Sequence, residues 1–145
     1  MTWLYNGEPF DPESAPEDCT GFVYRITNLD NNMKYIGKKS MWSKRTLPPL
    51  KGQKRKRKKV FESDWREYYG SSSDLNEERA RIGDDRYKRE ILRFCKSKGE
   101  LSYYELKYQM DEDVLLKPDE YYNAFVGGKI HRSHVLKFND EEDEE

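Results

Sequence analysis

The stretch Gly21-Phe22-Val23-Tyr24-Arg25-Ile26-Thr27, then Asn28-Leu29-Asp30-Asn31-Asn32, then Met33-Lys34-Tyr35-Ile36-Gly37-Lys38 decides the fold. Its outer segments are rich in β-branched and aromatic residues and read as strands. The five residues between them form turns readily, because Asn and Asp tolerate positive φ and bond to their own backbone. An antiparallel hairpin is therefore expected. If partner numbers sum to 59, Tyr24 lies directly opposite Tyr35. Any odd sum keeps the two phenols on one face of the sheet, whereas a one-residue slip separates them. Two hydroxyls on one face can hold a water and a phosphodiester; the competing reading is a pair of core tyrosines with satisfied hydroxyls.

Composition limits what this hairpin can be built into. At 145 residues the chain is expected to be one domain with tails. It is 38% charged with a mean hydropathy of −1.16, so its core is small, but 14% aromatic content argues against a disordered chain. The net charge of −1 conceals segregation: residues 140–145 are six acids, leaving +5 on the rest. Lys51 to Lys59 reads K-G-Q-K-R-K-R-K-K, seven bases in nine positions, and points to a polyanion-binding loop. Cys19 and Cys95 lack the spacing of a zinc or redox site, which fits a reduced compartment. No apolar run approaches the ~20 residues that cross a bilayer, and no signal pattern opens the chain. A soluble, cytoplasmic protein with no membrane partner and no small-molecule cofactor is expected.

The expected organisation is an N-terminal arm over 1–19, a folded domain over 20–138 carrying a basic loop at 51–59, and an acidic tail over 139–145. Trp3, Tyr5 and Phe10 would anchor the arm. Beyond Gly37 the pattern dissolves, and Pro48-Pro49 argues against a continuous helix. Trp65 to Tyr69 is short and amphipathic. The Gly-Ser-Ser-Ser run at 70–73 offers an N-cap for a helix from about Asp74 to Arg81. A third strand is expected from Arg86 to Cys95, with helix as the alternative. A helix follows Glu100 or Ser102 through Met110, and Lys117-Pro118-Asp119 would open a last short one.

With Tyr24, Tyr35-Ile36-Gly37 and a late helix carrying Glu105, the chain resembles the GIY-YIG nuclease family, whose stand-alone, homing-endonuclease-like members occur in phages and bacteria. The second motif matches fully; in the first, Phe22 stands where the glycine would be, one residue after Gly21. The resemblance implies an α+β fold with a small three-stranded antiparallel sheet flanked by helices. It also implies metal-dependent endonuclease activity hydrolysing DNA phosphodiester bonds, with Mg²⁺ or another divalent cation such as Mn²⁺. Carried over, Tyr24 would position the attacking water and Tyr35 would join its hydrogen-bond cluster. Gly37 would permit close packing, Arg45 would stabilise phosphate charge, Glu105 would hold the metal, and Asn123 would support the site.

Chemistry gives each assignment its own reason. Arginine donates a planar fork to phosphate and stays charged; Lys38, Lys39, Arg66 and Tyr69 are alternatives to Arg45. A single carboxylate suits Mg²⁺, which keeps waters and substrate oxygens as its other ligands. Glu100 and Glu90 stand behind Glu105, whose bland reading is an exposed helical glutamate paired with a lysine. Asn123 could equally be a cap or turn residue. DNA binding is expected through Lys38, Lys39, Lys51, Lys54, Arg55, Lys56, Arg57, Lys58 and Lys59. His131 and His134 lack an acidic or cysteine partner and read as surface residues. Cutting both strands from one active site would need a second subunit, as in a homodimer, or a second encounter, and a partner protein could direct targeting. The competing functional readings are a non-catalytic nucleic-acid-binding domain of the same fold and a protein-interaction module.

Overall fold

Strands β1 (Trp3–Tyr5), β2 (Glu8–Pro9), β3 (Gly21–Asn28), β4 (Lys34–Ser40), β5 (Trp42–Leu47), β6 (Arg57–Glu62) and β7 (Tyr87–Cys95) combine with helices α1 (Ser73–Ile82) and α2 (Lys98–Asp111) in the computed structural model. It describes residues 2–128 and 130–136, so the acidic tail lies outside the described residues. The β3–β4 hairpin forms as expected, but its partner numbers sum to 61: Tyr24 faces Gly37 and Ile26 faces Tyr35. The loop sets that register. Asn28 N–H donates to Met33 O, Asp30 N–H donates to the Asn28 side chain, and Asn32 adopts φ 62°. A slip of two keeps both phenols on one face, diagonal to each other with ring centroids 6.2 Å apart.

The small three-stranded antiparallel sheet expected from the sequence, β7-β3-β4, is one end of a larger one. Five strands run in the order β2-β1-β7-β3-β4, and β1 lies parallel to β7, so the sheet is mixed. The N-terminal segment is accordingly not an arm. Asn6 and Gly7, both at positive φ, close a two-residue turn between β1 and β2, the strongest short hairpin signal a sequence carries. This turn delivers Trp3 to the core, where its indole N–H donates to Trp65 O at 2.8 Å.

Two cores flank the sheet. On one face Trp3, Phe22, Tyr24, Ile26, Trp65 and Leu75 pack together; on the other, Val23, Ile36, Cys95 and Leu101 pack beneath α2. Phe22 is fully buried, with Trp3 edge-on at 5.0 Å and Trp65 at 5.9 Å. An aromatic residue is thus accommodated in the first motif because β1 brings a second aromatic to meet it. β7 is the expected third strand. Its register against β3 shifts between Val23 and Tyr24, leaving Leu92 as the extra residue. Ile91 and Leu92 serve opposite cores by ordinary strand alternation, and the bulge shifts its phase, which is why Ile91 and Phe94, three positions apart, share one core.

α1 begins where the serine run predicts, with Ser72 accepting from Leu75 N–H. α2 starts earlier than expected: Ser97 is the cap, and Glu100 reaches back to Lys96 N–H at 3.3 Å. Pro118 opens a turn rather than a helix, with Lys117 O accepting from both Glu120 and Tyr121 N–H. The segment thought irregular contains β5, which pairs with β6 and with no strand of the main sheet. The basic block at 51–59 is therefore a turn plus the start of a strand. Its charges hid the alternation that marks a two-stranded ribbon.

Candidate active site

Gly37 is the point from which the site is built. A Cβ there would sit 2.5 Å from the Tyr24 hydroxyl oxygen and 2.9 Å from a Tyr35 ring carbon, so only glycine lets the two phenols close over β4. Tyr24 hydrogen-bonds to Tyr68, whose ring stands edge-on at 5.9 Å. The Tyr35 hydroxyl lies 2.9 Å from the Ser71 hydroxyl. Gly70, at φ 91°, is also close to both rings: a Cβ there would lie 3.3 Å from a Tyr35 ring carbon and 3.4 Å from the Tyr24 hydroxyl oxygen, and its turn lies between Tyr68 and Ser71, which reach the same place.

β4 is the sheet edge on this side, and its outward backbone groups are taken up in order. Lys34 N–H donates to Glu120 O, while Lys34 O accepts from Tyr122 N–H. Ile36 N–H donates to Asn123 Oδ1 at 3.1 Å, and Ile36 O accepts from Asn123 Nδ2 at 2.8 Å and Gln109 Nε2 at 2.9 Å. Lys38 N–H donates to Glu105. Glu105 thus comes from the opposite side of the sheet and meets the tyrosines at the edge, where both phenols feel its charge. Asn123 is buried, and its amide is spent on Ile36; it holds the edge on which Glu105 and the tyrosines meet.

Electrostatics set the protonation states. Burial, then neighbouring Tyr68 and Tyr35, raise the Tyr24 phenol well above its ordinary value, so at neutral pH it keeps its proton. Tyr35 is raised mainly by burial, partly offset by the Ser71 hydrogen bond. Burial also raises the Glu105 carboxyl, against the opposing pull of Lys38. Lys38 Nζ bonds the Ser102 hydroxyl at 2.9 Å. Lys39 Nζ lies 4.1 Å over the Tyr68 ring and 2.6 Å from Asp64.

The structure sorts the other candidates. Arg45 is on β5 rather than on a helix, its guanidinium over the Phe61 ring at 5.1 Å, and it is not among the groups acting on Tyr24, Tyr35 or Glu105. Arg66 pairs with Glu62 at 2.6 Å. Tyr69 is buried under the guanidiniums of Arg79 and Arg89. Glu100 caps α2, and Glu90 pairs with Arg25 at 3.3 Å. His131 and His134 bond within their own segment, and among the described residues no group of three or more His, Cys, Asp or Glu could hold a metal. Burial raises both thiols, that of Cys95 to about 12, so neither offers a thiolate nucleophile.

Sequence reasoning missed Tyr68 and Ser71. Tyr69 is buried and its neighbour Tyr68 is half-buried, but only the fold brings Tyr68 to Tyr24. It also missed Glu78, whose carboxylate accepts from Tyr87 at 2.6 Å, Tyr122 at 2.6 Å and Asn28. Burial pulls that carboxyl up, but the hydrogen bonds from Tyr122, Tyr87 and Asn28 together outweigh it and hold it below its ordinary value. Glu78 ties α1 to β3, β7 and the segment that ends in Asn123.

The family described as "Putative endonuclease segE, GIY-YIG domain" matches residues 3–126. No curated protein and no solved structure matches the chain. Among the described residues no helix is long and apolar enough to cross a membrane.

Proposed function

Because the chain belongs to this family of GIY-YIG endonuclease domains, we propose that it is a metal-dependent endonuclease that hydrolyses phosphodiester bonds of DNA. The convergence of Tyr24, Tyr35, Tyr68 and Glu105 around Gly37 carries the reading. Hydrolysis needs an oriented water, neutralisation of the phosphate oxygens and support for the leaving oxygen.

Tyr24 orients the water. It hydrogen-bonds to Tyr68 and keeps its proton, and a phenol that donates there has a lone pair with which to accept from the attacking water. Tyr35, fixed by Ser71, holds the second side of that pocket. Lys38 and Lys39 bring positive charge to the phosphate where Arg45 was expected to do so. The donor set fits a hard divalent cation. Glu105 is a half-buried lone carboxylate beside a DNA-facing edge, and Mg²⁺ or Mn²⁺ would be held by it together with waters and phosphate oxygens. When bound, the cation withdraws charge from the phosphate and supports the departing oxygen.

Supercoiled plasmid incubated with wild type and with Glu105→Ala, in Mg²⁺ and in EDTA, tests this. Nicking or linearisation by wild type in Mg²⁺ alone is expected. A plasmid left intact across ordinary salt and several sequences overturns the enzyme reading, and cleavage surviving Glu105→Ala overturns the metal assignment.

A further inference from the structure

The β5–β6 ribbon has no role in the site just described, yet it is a built object. Residues 42–62 contain nine bases and a single acid, Glu62. The strands pair only with each other; Trp42 and Val60 are exposed on one face of the ribbon, and Arg45, Arg57 and Lys59 on the other. Register sets Arg45 directly opposite Lys59, with Leu47 opposite Arg57 and Thr46 opposite Lys58. Like charges directly across a ladder are unfavourable. Here they are held side by side over one ring: Phe61 lies 5.1 Å below Arg45 and 5.3 Å below Lys59.

A flexible basic loop would bind any polyanion through phosphates alone. An ordered two-stranded ribbon has a further property, that of fitting the major groove of B-DNA, which is about 12 Å wide. Arginine held by stacking is ready to grip guanine O6 and N7 with its planar fork, the commonest base-specific contact. We infer that the β5–β6 ribbon enters the major groove of duplex DNA with Arg45 and Lys59 toward the base edges, and so gives the nuclease its sequence selectivity. This inference rests on the DNA reading above but not on catalysis.

The test is selection from a randomised duplex pool by the full chain in EDTA, followed by sequencing. Wild type enriches a short guanine-containing motif, with roughly ten- to hundredfold discrimination per base pair. Arg45→Lys preserves charge but not the fork. Its melting curve stays close to wild type, while discrimination at the guanine position falls about tenfold or more. A pool that stays flat with wild type, or the same motif enriched by Arg45→Lys, overturns the inference. Duplex RNA of the selected sequence, whose major groove is too narrow to enter, loses the selectivity; retention of it in RNA also overturns the inference. Because no metal is present, selection without plasmid cleavage would sink the endonuclease and keep the ribbon, whereas cleavage without selection would do the reverse.

Discussion

Glu105 carries a conflict between stability and function. Burial raises its carboxyl, so the folded chain holds that proton more tightly than the unfolded chain does. Any stability the group contributes is present below the ordinary carboxylate value of about 4.3 and is lost as pH rises through the raised folded value. At neutral pH the buried charge therefore costs stability. Glu105→Gln should melt higher than wild type in EDTA at pH 7, the gap closing as pH falls below about 4, while Mg²⁺-dependent cleavage is lost. An equal or lower melting temperature for the variant would show that the carboxylate is not strained in the metal-free protein. Gly37 carries the opposite burden, that of space. Gly37→Ala forces its methyl into both tyrosines, costing about 1–3 kcal/mol by urea denaturation. Displacing Tyr24 by about 1 Å should cost roughly a hundredfold in cleavage rate. Near-wild-type cleavage would mean that the phenols need not close over β4.

At the scale of elements, the N-terminal strand matters beyond its length. Trp3 is almost fully buried; its ring lies edge-on to Phe22 at 5.0 Å and Tyr24 at 5.6 Å, with the Arg89 guanidinium 4.6 Å above. It is the wall behind the first tyrosine. Trp3→Ala should cost about 3–5 kcal/mol in urea denaturation and loosen Tyr24 along with it. A loss below about 1 kcal/mol would restore the picture of a dispensable arm. How much of this was legible follows from the same elements. The β3–β4 hairpin, β7, α1 and α2 were readable because each is one short, strongly patterned segment with its own turn or cap. The face shared by Tyr24 and Tyr35 was readable because parity survives a two-residue slip. β1 was obscured by the acidic, proline-rich residues after it, although Asn6-Gly7 announced the turn. β5 and β6 were obscured by charge, since alternation of Lys and Arg with Thr or Val does not look apolar on either face. Tyr68 and the edge bonds of Asn123 are products of tertiary placement, which local pattern does not contain.

The whole molecule divides its charge by place rather than by amount. Near-neutral overall, it concentrates bases on the ribbon and its turn, which follow a sheet edge where Lys38 meets Glu105 and Lys39 meets Asp64. Lys54, Arg55 and Lys56 are exposed in the turn between the ribbon's strands, whereas the cations over Phe61 are Arg45 and Lys59. On the proposed DNA reading, their partners are phosphates, which carry no sequence information. Each phosphate contact releases counterions, so the logarithm of the binding constant should fall against log salt by roughly 0.9 per contact. Replacing all three residues by Gln should flatten that slope by about 2–3 and weaken binding to every duplex alike, leaving relative affinities among duplexes as in wild type. Fluorescence anisotropy in EDTA between about 50 and 200 mM salt measures both quantities. A slope that stays unchanged would place the three side chains away from the DNA. A change in relative affinities would move sequence reading from the strands of the ribbon to its turn.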